Sequence, residues 1–159
     1  MARKVKCQIT KEYGTSDVFF KAENGKYYKT EEIYKKHIEN IKTLNEITEK
    51  IMLYTDVEAY NSIIGKLIKE LHQKFNYQVI LDTVKICKSK IEWAVKDKNF
   101  KKQSSMFRYI FAIIKSNIDQ VNKSYKHKQK AKNVSINIDT EVFDKQKTNT
   151  KKKDISKWL

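Results

Sequence analysis

A chain of 159 residues has room for one domain with a real core plus a tail, because a domain of this size buries about two-thirds of the surface its unfolded chain exposes. No apolar run approaches the roughly 18 to 20 residues of a bilayer crossing, and Met1-Ala2-Arg3-Lys4-Val5-Lys6 lacks the apolar stretch of a secretory signal, so a cytoplasmic protein with no membrane partner is expected. Cys7 and Cys87 are the only cysteines, which excludes a disulfide framework, while a formal charge of +15 attracts polyanions.

The first stretch reads as β structure. Val5-Lys6-Cys7-Gln8-Ile9 alternates like a strand, Gly14-Thr15-Ser16-Asp17 breaks it, and Val18-Phe19-Phe20-Lys21 and Lys26-Tyr27-Tyr28-Lys29 flank Glu23-Asn24-Gly25. Asn-Gly between two β-prone aromatic runs predicts a two-residue turn with positive φ at both central positions, and hence a β-hairpin module over residues 1–30.

Helices follow. Thr30-Glu31-Glu32 supplies a capping hydroxyl and two carboxylates for the positive end of a helix, and Ile33, His37, Ile41, Leu44, Ile47 and Ile51 carry its stripe to about Tyr54. Asp56 is the predicted cap of a second helix, with Tyr60, Ile63, Ile64, Leu67, Ile68, Leu71 and Phe75 as its apolar face. Asn76-Tyr77 opens a third, carrying Ile80, Val84, Cys87, Ile91 and Val95 to a basic loop over residues 96–102. A fourth, capped by Ser104 or Ser105, carries Met106, Phe107, Ile110, Ile113, Ile114, Ile118 and Val121. The fold class is therefore mainly α: the hairpin module, a compact helical domain of about four helices over residues 31–123, and a flexible basic tail over residues 124–159. Within that tail Val134-Ser135-Ile136-Asn137-Ile138 is a candidate short strand, and Ile155, Trp158 and Leu159 form a candidate protein-docking peptide, or one that folds back on its own domain.

Charge is unevenly spread. Residues 1–29 hold seven basic and three acidic side chains, net +4; residues 30–120 hold sixteen and twelve, net +4; residues 121–159 hold eleven and four, net +7. Seven lysines against Glu92 and Asp97 crowd residues 85–102. The predicted nucleic-acid-binding set is Lys85, Lys88, Lys98, Lys101, Lys102, Arg108, Lys115, Lys123, Lys126 and Lys128, with Phe100 and Tyr125 available to stack on bases. Lysine bias from an AT-rich coding sequence is the competing explanation, since only Arg3 and Arg108 are arginines and proline is absent.

Catalytic constellations are missing from the sequence: there is no glycine-rich phosphate loop, no His-Glu-x-x-His and no serine elbow, so a non-enzymatic protein without a cofactor is expected. Cys7-Gln8-Ile9-Thr10, a hairpin, and then Tyr28-Lys29-Thr30-Glu31 entering a helix resemble a degenerate treble-clef zinc knuckle. Thr10 stands where a second cysteine belongs, and Lys29 and Thr30 occupy the region of the later pair, which leaves Cys7 and His37 as residual metal candidates and a metal unexpected. From Leu71 to Lys123 the chain resembles the C-terminal module of DnaD-type primosome proteins and phage replisome organisers, through Tyr109 and Ile113 four apart, with Asn117 where that family usually has Trp. The resemblance implies a helical module that contacts DNA and protein. The layout also resembles small proteins of phages and mobile elements of low-GC Gram-positive bacteria, acting in the host cytoplasm.

Three functions stand at this point. One is a replication accessory that binds nucleic acid, DNA rather than RNA. Another is an inhibitor, for example an anti-CRISPR, that binds a host nucleic-acid-binding protein complex. The third is a structural protein that oligomerises.

Overall fold

Short-range chemistry sets most element boundaries. The computed structural model describes the backbone of residues 2–149 and the side chains of residues 2–131. At the N-terminus β1 (Lys4–Lys6) pairs antiparallel with β2 (Tyr13–Thr15), with Lys4 opposite Thr15 and Lys6 opposite Tyr13. Gly14 and Thr15, read in the sequence as a break, are thus strand residues. The Phe19 ring occupies the space that a Cβ on Gly14 would need, so the glycine is what lets that ring cover the ribbon. Strands β3 (Phe20–Lys21) and β4 (Tyr27–Tyr28) form the expected hairpin, but with a different turn. Within the turn only Gly25 has positive φ, +75°, and Gly25 N–H donates to the Ala22 carbonyl while Ala22 N–H donates to that of Lys26. This is the three-residue connection that ends in one left-handed residue, not the two-residue turn.

Thr30 accepts a hydrogen bond from Ile33 N–H and starts α1 (Glu31–Thr55) as its sequence signal predicts. Asp56 ends α1 instead of starting the next helix. It sits at φ 52°, a conformation that short polar side chains tolerate, and its N–H returns to the last turn. Asn61 does the capping of α2 (Ser62–His72), which leaves Tyr60 exposed before the helix and Phe75 half-buried beyond it. Asn76 caps α3 (Tyr77–Ile86) through a 2.8 Å bond from Val79 N–H.

The predicted third helix is two. Cys87, at φ −81° and ψ 3°, separates α3 from α4 (Lys88–Asp97), and this one-residue break re-aims the chain so that Ile91 and Ala94 are buried while Trp93 faces out. Helix α5 starts at Gln103 rather than behind a serine cap; the Lys102 carbonyl accepts from Ser105 and Met106 N–H. It extends to Asn149, so the lysine-rich stretch from Lys123, expected as a flexible linker, and the candidate strand at 134–138 are helical. No Gly or Pro interrupts residues 103–149, and Lys, Gln and Ala form helices readily. Ile155, Trp158 and Leu159 lie outside the described residues.

Helix α3 packs between α1 and α5 in the middle of the domain. Ile47, Ile51, Ile64, Ile68, Ile80, Phe107, Ile110 and Ile114 are fully buried there, and the buried Thr55 and Thr83 hydroxyls donate to backbone carbonyls of Ile51 and Val79. Among the described residues no helix is long and apolar enough to cross a membrane.

Candidate nucleic-acid interface

Residues 98–102 connect α4 to α5, and aromatic contacts pin that turn to the first turns of α5. The Phe100 and Tyr109 rings lie 5.6 Å apart, and Lys98 Nζ sits 5.1 Å from the centre of the Tyr109 ring. Lys98, Lys101, Lys102 and Arg108 are consequently held at one end of the domain, and none of the four has a carboxylate partner among the described residues. For Lys101 and Lys102 that position is against local stability. A helix N-terminus carries partial positive charge and favours Asp or Glu, yet the first turn of α5 has no acidic residue, and Lys101 and Lys102 stand directly before it.

Other members of the predicted set do not join this field. Lys85 pairs with Glu46 at 2.8 Å, Lys88 with Glu92 at 3.7 Å and Lys115 with Glu70 at 2.6 Å. Such half-exposed pairs add little stability, but each carboxylate cancels most of its partner's field at a distance. Along α5 the period of 3.6 residues places Lys126 directly in line with Arg108, on a solvent-exposed side, with Lys115 and Lys123 beside that line and Asp119 as the one acid on it between Arg108 and Lys126. Lys123, Lys126 and Lys130 share a shallow concavity with His127. Lys128 points elsewhere, into a groove of about 450 Å³ shared with Asp82, Lys85, Ile86 and Tyr125. The structure therefore brings together Lys98, Lys101, Lys102 and Arg108, continues them along α5 through Lys123 and Lys126, pairs Lys85, Lys88 and Lys115 with acids, and turns Lys128 to the separate groove.

Two neighbours escaped the sequence reading. Lys90 Nζ donates to Asn117 Oδ1 at 3.0 Å, and Trp93 is exposed on the same side of α4. The signal for Trp93 was its place off the Ile91 and Val95 stripe.

At the other end of the molecule Cys7 is buried in the N-terminal module, with Thr10 N–H 3.4 Å from its sulfur, while half-buried His37, on α1, lies tilted against Tyr28 with ring centres 6.1 Å apart. Among the described residues no group of three or more His, Cys, Asp and Glu side chains is placed to hold a metal. Burial alone would push the Cys7 thiol up. Hydrogen bonds from Thr10, Ile9 and Lys29 outweigh it and bring the thiol from an ordinary 9.0 down to about 7. Burial pushes Cys87, in the core, the other way. A thiol with its folded value below its unfolded one adds stability that is complete above about pH 9 and lost as pH falls through about 7. Ultraviolet thiolate absorbance of a Cys87→Ala variant should accordingly rise around pH 7. A midpoint at 9 would mean that these bonds do not form in solution.

The family model described as SPbeta prophage protein YorH matches residues 7–157. The chain belongs to that family. No curated protein and no solved structure matches it. The YorH match makes this a phage protein, and the matched span takes in Cys7, the basic turn, all of α5 and Ile155, but stops short of Trp158 and Leu159. The basic turn lies inside the matched region.

Proposed function

We propose that this YorH-family protein is a non-enzymatic, nucleic-acid-binding accessory of phage replication, and that it grips DNA with Lys98, Lys101, Lys102 and Arg108 and along the outer face of α5 with Lys123 and Lys126. The observation that carries this reading is the grouping of carboxylate-free cations around a helix N-terminus, where lysine is the electrostatically disfavoured choice. A polyanion turns that local cost into affinity. Codon bias accounts for many lysines, but it does not account for these four cations having no carboxylate partner among the described residues, even with Asp97 next to Lys98 in sequence, while Glu46, Glu70 and Glu92 each meet a lysine elsewhere.

The test is binding of a labelled DNA by fluorescence anisotropy between about 50 and 200 mM salt. Six phosphate contacts give a slope of log affinity against log salt of roughly −4 to −5, at about 0.7 to 0.9 per contact. Absence of binding at the lowest salt overturns the reading.

A second reading, an inhibitor that docks on a host nucleoprotein machine, is favoured by the outer face of the β1–β2 ribbon. There the exposed Tyr13 ring is flanked by Lys4 Nζ at 5.0 Å and Lys6 Nζ at 5.2 Å. It expects tight capture of one protein and little affinity for naked DNA.

A further inference from the structure

Helices α4 and α5 run antiparallel, and two contacts fix their register: Lys98 over the Tyr109 ring and Lys90 on Asn117. The contacts are eight residues apart on each helix, so the seam between them is about 12 Å long at 1.5 Å per residue. Trp93 lies three residues after Lys90 on the same side of α4, between the two contacts. It is 57 % exposed, and Tyr109 is 37 % exposed. Beyond Asn117 the seam opens into the groove that holds Ile86, 66 % exposed, with Val121 and Tyr125; Asp82 is the one carboxylate among the groove's lining residues.

We propose that this seam is a track for single-stranded nucleic acid, with bases stacking on Trp93 and Tyr109 and phosphates meeting Lys98 and Lys90. The inference rests on the nucleic-acid reading and specifies the form of the ligand. Charge complementarity selects a polyanion: the ammonium groups of Lys90 and Lys98 flank the rings, and neither has a carboxylate partner among the described residues. The rings select its form. A duplex hides the faces of its bases and can offer a basic surface only phosphates, whereas a single strand presents π-faces that an exposed indole and phenol can cover.

The experiment uses the full chain with an oligothymidylate and with a mixed-sequence duplex. The expected result is tighter binding of the single strand, quenching of tryptophan fluorescence on binding, and about tenfold weaker single-strand affinity in Trp93→Ala with duplex affinity unchanged. Trp93→Phe, which keeps a ring, should restore most of the loss. Circular dichroism of both variants guards against misfolding, and Trp93→Gln serves if Trp93→Ala loses helicity. Equal affinity for single strand and duplex, unaltered by loss of the indole, overturns the track and leaves the basic turn as the site. A concentration-dependent oligomer abolished in Trp93→Ala overturns it in favour of a second copy of the chain as occupant. If neither nucleic acid binds at low salt, the underlying reading has failed and the track with it.

Discussion

Reversing Lys98, Lys101 and Lys102 together to Glu is expected to take DNA binding below detection while leaving helicity intact. The substitution subtracts two charges at each of three positions, which lowers the formal charge from +15 to +9, so the protein stays strongly basic and a loss of binding reports on the place, not on the total. Three fewer phosphate contacts also remove roughly 2 to 3 from the salt slope. Stability should hardly change. Glutamates at 101 and 102 suit the positive end of α5 by about 0.3 to 1 kcal/mol each, while a glutamate at 98 loses the contact with Tyr109 and stands at the negative end of α4. Weaker binding with little change in melting temperature therefore distinguishes a binding site from a structural one. Neutralising Lys85, Lys88 and Lys115 to Gln is the control, and it should cost far less affinity because their charges already face Glu46, Glu92 and Glu70. Full affinity in the triple Glu variant would reject the assignment of the turn.

Phe107→Ala is expected to destabilise the domain by about 3 to 5 kcal/mol, a large share of the roughly 5 to 15 kcal/mol that holds a domain of this kind together. The ring is fully buried in the first turns of α5, directly before Arg108 and among the apolar side chains that seat α5 on the rest of the core. Truncation leaves a cavity that the neighbouring isoleucines, fixed on their own helices, cannot fill. Urea denaturation should show a lower midpoint, and DNA affinity should fall with it as α5 loosens and the turn is no longer held. Phe107→Leu, which fills most of the volume, should cost much less. A Phe107→Ala protein as stable as the parent would contradict the packing described for α5.

Local signals were readable because their physics acts within a turn or two. Thr30 and Asn76 were identified as helix starts from the side-chain oxygen each offers to amides two or three residues ahead, and the hairpin around Asn24-Gly25 from the positive φ that only Gly adopts freely. Even there two expectations failed: the turn has three residues rather than two, and Asp56 closes α1 rather than opening α2. Cys87 shows why the apolar stripe misled. Its period continued smoothly through the residue, and the break exists because Ile91 and Ala94 must meet a core already shaped by α1 and α5.

The candidate site was legible as a concentration of lysines but not as a shape. By itself the sequence determined a mainly helical chain with a small β module, a strongly basic character and most of the core, since residue type and spacing alone settle what seeks water and what avoids it. Only the tertiary structure decided which cations remain without an acid. Lys115 meets Glu70 from 45 residues away, and no spacing rule reaches that far. Field strength depends on distances between atoms that the chain brings together only once α5 lies against α2 and α3.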